Sequence, residues 1–209
     1  MNTEDFGSLE LDALRELMNI SFGRAAASLS EVIDVAVVLS VPKIDFVRLD
    51  SLAEYIRGEV EGAASFNLVE QFFFGRFEGS SFLLLPEEEG RRLVTMLTHS
   101  IRPEGASLDA LERETVMEIG NIIIGACVGK LAELLGDVVT YRPPKIYTGP
   151  LDAALLKRYL SSGPRLALVM KTLFRFEYRE VYGLLFLVMT NEGIAWLHRA
   201  VAGYIERTI

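Results

Sequence analysis

An α+β fold built by internal duplication is what the sequence predicts. Three observations carry this: self-similarity at an offset of 102 residues, a long amphipathic helical pattern opening each half, and closely spaced strand-like runs behind each helix. The segment 12–45, DALRELMNISFGRAAASLSEVIDVAVVLSVPKID, lies over 114–147, ETVMEIGNIIIGACVGKLAELLGDVVTYRPPKIY, with ten of 34 pairs identical. Among them are Glu16/Glu118, Asn19/Asn121, Gly23/Gly125 and Pro42/Pro144. Average composition would give roughly two identities by chance. The match resumes one residue out of step, with 79–97 over 182–200 and Gly90 against Gly193. The expected organisation is a single domain over 1–209 with repeats at about 9–99 and 108–209, joined around His99–Ser107, where Pro103 and Gly105 interrupt regular structure.

The first element is a helix over about 9–34. At 100° per residue, Leu11, Leu14, Met18, Ala25, Leu29 and Val32 share the predicted core face, and Asp12, Glu16, Asn19 and Gly23 form a narrow stripe nearly opposite. Ile20, like Ile122 in the second half, flanks the stripe and reads either as an apolar contact for another surface or as the edge of the core. An extended strand then runs to Pro42-Lys43-Ile44, where proline fixes φ and pushes its predecessor toward extended backbone, a structural role that Pro144 repeats. A short variable or helical piece follows at about 49–58. LVEQFFFGRF (68–77) and GSSFLLLP (79–86) are close enough to form an antiparallel hairpin, the aromatic run 71–77 facing the core. Glu87–Glu89 suit the positive end of a helix dipole and open a closing helix over about 87–99, on which Arg91 and Arg92 read as a solvated face. The second half repeats this order. A helix over about 108–136 has Val116, Ile123, Cys127, Leu131 and Leu134 toward the core, and Glu114, Glu118, Asn121 and Gly125 opposite. A strand to Ile146, a variable piece at about 150–160, the strands LALVMKTLFRFEY (166–178) and VYGLLFLVM (181–189), and a helix over about 191–206 complete it.

Composition narrows the function classes. Half of the 209 residues are hydrophobic and 24% are charged, which is material for a packed core. A net charge of −8 disfavours nucleic acid and anionic lipid alike. The longest uncharged apolar stretch, near Ile119–Gly129, is too short to span a bilayer, so no membrane insertion is expected. The start reads as acidic rather than as a secretory signal, and the single cysteine allows no internal disulfide, so the cytoplasm is the expected compartment. His99 and His198 read as surface or helix-end residues, and no His–Cys spacing suits a metal. Cys127 falls on a core face, and neither a Gly-rich phosphate loop nor a nucleophile elbow is present.

The doubled stripe is the feature with chemical content. A Glu and an Asn three residues apart on a wet helix face are ordinary in themselves. Asn, however, competes with the helix for backbone hydrogen bonds, and a glycine four residues later costs about 1 kcal/mol of helix stability. That costly pattern occurs twice in register. A small residue one turn past each Asn would let another surface come close.

These residues resemble the CheC/CheX/FliY phosphatases of chemotaxis, whose motif runs Asp or Ser, three residues, Glu, two residues, Asn, twenty-two residues, Pro. Asp12, Glu16, Asn19 and Pro42 match at every position, and Glu118, Asn121 and Pro144 match with Glu114 where Asp or Ser is usual. Two motifs in one chain favour the CheC type, since CheX carries one and FliY adds a C-terminal switch domain. The resemblance implies a CheC-like fold with two motif helices packed on an antiparallel sheet. It implies hydrolysis of the aspartyl phosphate of a CheY-like receiver domain, with Asn19 and Asn121 orienting the attacking water and Glu16 and Glu118 pairing with the receiver's active-site lysine. The chain would need no cofactor of its own, Mg²⁺ arriving with the receiver, and the receptor deamidase CheD is a further partner for some members. The alternative is a non-catalytic receiver-binding or flagellar-switch adaptor. The physics suits the first role: phosphoryl transfer depends on positioning and charge stabilisation, an amide both donates and accepts, and a carboxylate at the point of attack would repel the phosphoryl group.

Overall fold

The computed structural model describes residues 6–34, 36–60, 63–98, 109–150, 166–176 and 179–208. The predicted connection 99–107 and all but Pro150 of the predicted piece 150–160 lie outside the described residues. In chain order the elements are α1 (Ser8–Ile33), β1 (Val37–Arg48), α2 (Leu52–Glu59), β2 (Phe66–Phe74), β3 (Gly79–Pro86), α3 (Glu87–Thr98), α4 (Ala110–Leu134), β4 (Thr140–Tyr141), β5 (Lys145–Gly149), β6 (Leu166–Phe176), β7 (Arg179–Met189) and α5 (Asn191–Thr208). This is the expected α+β class, and both motif helices begin and end within two residues of their predicted bounds.

The strands form one seven-stranded antiparallel sheet in the order β1-β6-β7-β3-β2, with β4 and β5 both pairing β2. Each half's hairpin is a single register, β2 on β3 and β6 on β7. The halves meet where β3 lies against β7, Leu83 opposite Leu185. The strands behind the motif helices cross over: β1 pairs β6 of the other half, and β5 pairs β2. Neither half therefore closes its own sheet, and the repeats are interlocked.

One face of the sheet is covered by α1, α3, α4 and α5, which bury Phe22, Leu29, Val94, Ile123, Cys127 and Leu197 with Val69, Phe73, Leu83 and Leu185 from the strands. The predicted core positions of the motif helices are buried, apart from half-buried Leu11 and Leu134 and from Val32, which is exposed. Val32 lies in the last turn of α1 and is 64% exposed. The buried face is also broader than predicted, taking in Leu17, Ser21, Phe22 and Ala26 on α1 and Ile119, Gly120, Ile124 and Val128 on α4. As a whole, α4 is long and apolar enough to cross a membrane by length and composition, but it packs against α1 and the sheet, with half of its apolar window buried.

Two further expectations change. Arg91 is largely covered and pairs with Glu88, while Arg92 alone is solvated and pairs with Glu89. His198 sits mid-helix on α5, half-buried, edge-on to the Phe6 ring and 3.1 Å from Glu10 Oε1.

The opposite face of the sheet is covered by α2, which packs Leu52 and Ile56 over Phe66, Phe82, Leu84 and Phe186. Glu59 at the end of α2 bridges Lys43 of β1 and Lys171 of β6, each at 3.1 Å. The two ammonium groups, Lys171 first, hold its carboxyl below the usual carboxylate range. A lowered folded-state value stabilises the fold above the unfolded value and loses that stabilisation as the pH falls through the folded one. Glu59→Gln is expected to cost about 1 kcal/mol in urea unfolding at pH 7, and the gap to wild type should narrow as the pH falls below the usual carboxylate range.

Candidate active site

Both motif helices start from a fixed end. On α1 the Gly7 amide donates to Glu10 Oε2 at 2.8 Å. On α4 the Asp109 carboxylate accepts from the Glu112 amide at 2.9 Å while Glu112 Oε2 accepts from the Asp109 amide at 2.8 Å, a reciprocal capping box. Burial of the apolar faces of both helices against the sheet turns the stripes outward. Asp12, Glu16, Asn19 and Gly23 are exposed, as are Glu114 and Glu118. Asn121 and Gly125 are half-buried. A Cβ added at Gly23 or Gly125 would meet nothing within 4 Å, so each glycine opens the space beside its Asn.

The sequence places the two stripes as equals, and the structure does not. Asn19 has no hydrogen-bond partner among the described residues. Asn121 Oδ1 accepts from Gln71 Nε2 of β2 at 2.7 Å, and its Nδ2 points to Glu118 Oε1 at a long 3.5 Å. Gln71 is 3% exposed, and its Nε2 also reaches the Arg142 carbonyl at 3.3 Å. Arg142 is itself fixed, its amide donating to the Phe72 carbonyl at 2.9 Å and its guanidinium lying over the Phe72 and Phe74 rings. The reason lies one residue before Asn121. A Cβ at Gly120 would come within 2.7 Å of Val69, so α4 lies closer to β2 than any side-chain-bearing residue would permit. Tyr141 of β4 pins the same helix by donating to the Gly125 carbonyl at 3.0 Å. At the position matching Gly120, α1 carries Met18, which is buried.

An open groove of about 490 Å³ runs between α1 and α4, lined by Arg24, Ser28, Asn121, Ile122, Gly125 and Lys130 among others. Cys127 is fully buried and burial pushes its thiol up, so it offers no nucleophile. Among the described residues no group of three or more His, Cys, Asp or Glu gathers at metal-binding distance.

Two features lie outside the motif residues. Gln71 lies in a strand-like aromatic run with nothing to mark it as polar support, and only its facing toward α4 reveals it. Leu9 and Leu111 are 56% and 70% exposed, one turn before Asp12 and Glu114 on the stripe side of their helices. They also stand 102 apart, as do Glu10 and Glu112, so extending the repeat by three residues would have found them.

The CheC-like family profile matches residues 9–44 and again 111–147, the two motif segments. CheC1 of Halobacterium salinarum is 24% identical over 136 residues, 65% of this chain and 67% of the relative. The CheY-P phosphatase CheC of Bacillus subtilis is 26% identical over 128 residues, so the matched stretch spans 60% of this chain and 59% of that protein. Among solved structures, Thermotoga maritima FliY superposes with a TM-score of 0.76 at 18% identity, covering 98% of this chain and 99% of that one. The FliM middle domain of H. pylori superposes with a TM-score of 0.61 at 10% identity, covering 93% of this chain and 99% of that one. The fold is thus the one these proteins share. In sequence, the chain is similar to CheC/FliY-type proteins, and the family profile matches it over the two motif segments.

Proposed function

We propose that this protein hydrolyses the aspartyl phosphate of a CheY-like receiver domain in chemotaxis signalling, with Glu16 and Asn19 on α1 and Glu118 and Asn121 on α4 as the working pairs. The observation that carries this reading is the stripe itself, a carboxylate and a carboxamide one turn apart on an outward helix face, present twice beside unfilled space. The shared fold does not decide it, because the FliM middle domain has that fold too. B. subtilis CheC, named a CheY-P phosphatase, supports it from the side of relatedness.

An acyl phosphate is already activated, so the protein needs no nucleophile of its own. The asparagine holds a water in line with the phosphorus. The water oxygen bonds to phosphorus as the bond from phosphorus to the receiver carboxylate breaks, the aspartate leaves as a carboxylate, and the water's proton passes to the released phosphate. The glutamate fixes the dock through a charge-assisted contact to the receiver's lysine. Mg²⁺ belongs to the receiver substrate in this scheme. Leu9, Ile20 and Leu111 supply exposed apolar area on the same helices for the docked partner to cover. The reading places the protein in the cytoplasm with its receiver, and a CheD-type deamidase is a further partner carried by the family resemblance.

The test is the lifetime of a phosphorylated receiver with Mg²⁺ present. Catalytic amounts of the chain are expected to shorten it and to release inorganic phosphate. Phosphorylation-dependent binding with an unchanged lifetime would replace this reading with that of an adaptor.

A further inference from the structure

We infer that Gln71 is a positioning residue for Asn121, and that the two stripes are inequivalent: the one on α4 is preset, the one on α1 is not. The inference deepens the phosphatase reading and rests on it.

A buried glutamine on the core side of a strand loses stability unless both ends of its amide are satisfied. Gln71 is 3% exposed, and its Oε1 is buried without a hydrogen-bond partner among the described residues. Methionine would fill the same volume without that penalty. What the glutamine supplies instead is direction. The Arg142 carbonyl can only accept, so it requires the NH₂ end of Gln71, and that same NH₂ then meets Asn121. The atom of Asn121 facing it must therefore be Oδ1. The chain of bonds from the Arg142 carbonyl through Gln71 turns the Asn121 NH₂ outward toward Glu118 and the groove. One lone pair of Oδ1 stays free to accept from a water, and the outward NH₂ donates to a phosphoryl oxygen. Asn121 thus stands in one orientation before any partner arrives.

Among the described residues, no such support reaches the first stripe. In the sheet register Val69 pairs Leu83 and Met170 pairs Leu185, while Leu83 and Leu185 face each other across the two halves. The residue matching Gln71, two positions on from Met170, is Thr172. Asn19 is exposed, with no hydrogen-bond partner among the described residues, so ordering it falls to the docked complex. The support also crosses the repeats, since β2 of the first half serves α4 of the second.

The experiment places Gln71→Met in two backgrounds, Asn19→Ala, where only the α4 pair remains, and Asn121→Ala, where only the α1 pair remains. Receiver dephosphorylation is read as separate kcat and KM, with a thermal melt on every variant. In the Asn19→Ala background Gln71→Met is expected to lower kcat about 10- to 100-fold with KM unchanged, because Gln71 is buried and touches no docked protein. In the Asn121→Ala background it is expected to change neither. An equal loss in both backgrounds marks a structural role and overturns the inference, as does no loss in either. If the wild-type chain leaves the receiver's phosphate lifetime unchanged, the phosphatase reading fails first. In that case the Asn121 side-chain NH₂ resonances still test Gln71: they are expected to shift in Gln71→Met, and unmoved resonances overturn the inference.

Discussion

Replacing both Asn19 and Asn121 with alanine is expected to reduce receiver dephosphorylation by about 10²–10³-fold, bringing it close to the receiver's own rate. That is the size of effect seen when one well-placed hydrogen-bonding group is taken from a reacting centre. At exposed Asn19 alanine raises helix propensity, so the melting temperature should hold or rise. At Asn121 it also takes the acceptor from the buried Gln71 amide, so there the melting temperature should fall. The single variants separate the sites. Asn121→Ala should lose the larger share, because the preset amide is the one that needs no ordering in the complex, and Asn19→Ala should keep most of the activity. Steady-state phosphate release, with saturating phosphodonor and each variant in turn, gives the three numbers. Full activity in the double variant would remove the carboxamides from the mechanism.

The elements and the stripes were legible because each rests on a local pattern that recurs. A 3.6-residue period places Glu16 and Asn19 opposite Leu14 and Met18, and a second copy at an offset of 102 separates that arrangement from accident. The crossing of β1 onto β6 and of β5 onto β2 was not legible, because partner choice in a sheet is non-local and both strands read alike. The errors share that cause. Val32 has the right angle for the core but stands exposed in the last turn of α1, and Arg91 has a polar identity but is largely covered. The inequality of the two stripes was hidden for a different reason. Their residues match, and the difference comes from Gly120, where α1 carries Met18, and from Gln71 on β2, positions behind the stripe that a comparison of the motif residues passes over.

Gly120→Val is the substitution expected to harm the fold most, at a cost of roughly 3 kcal/mol in urea unfolding. The Cβ alone would sit 2.7–2.9 Å from three side-chain atoms of Val69, and Val69 is fully buried in the middle of the sheet with nowhere to turn. Relief requires α4 to move outward, and the next residue on that helix is Asn121. A hydrogen bond of 2.7 Å to Gln71 does not survive a shift of an ångström. The variant should therefore lose stability and, in whatever fraction stays folded, the kcat of the α4 pair. Gly125→Ala is the matched contrast. Its Cβ enters open space, so the exchange should gain about 0.5–1 kcal/mol from helix propensity. A docked receiver would meet that same methyl beside Asn121, so dephosphorylation by the α4 pair should fall even as the melting temperature rises. Stability and activity moving in opposite directions at Gly125, and together at Gly120, would separate a glycine kept for a partner's approach from one kept for the helix's own seat on the sheet. If Gly125→Ala left both the rate and KM of the α4 pair unchanged, no partner would come within reach of that face, and the dock would have to lie elsewhere.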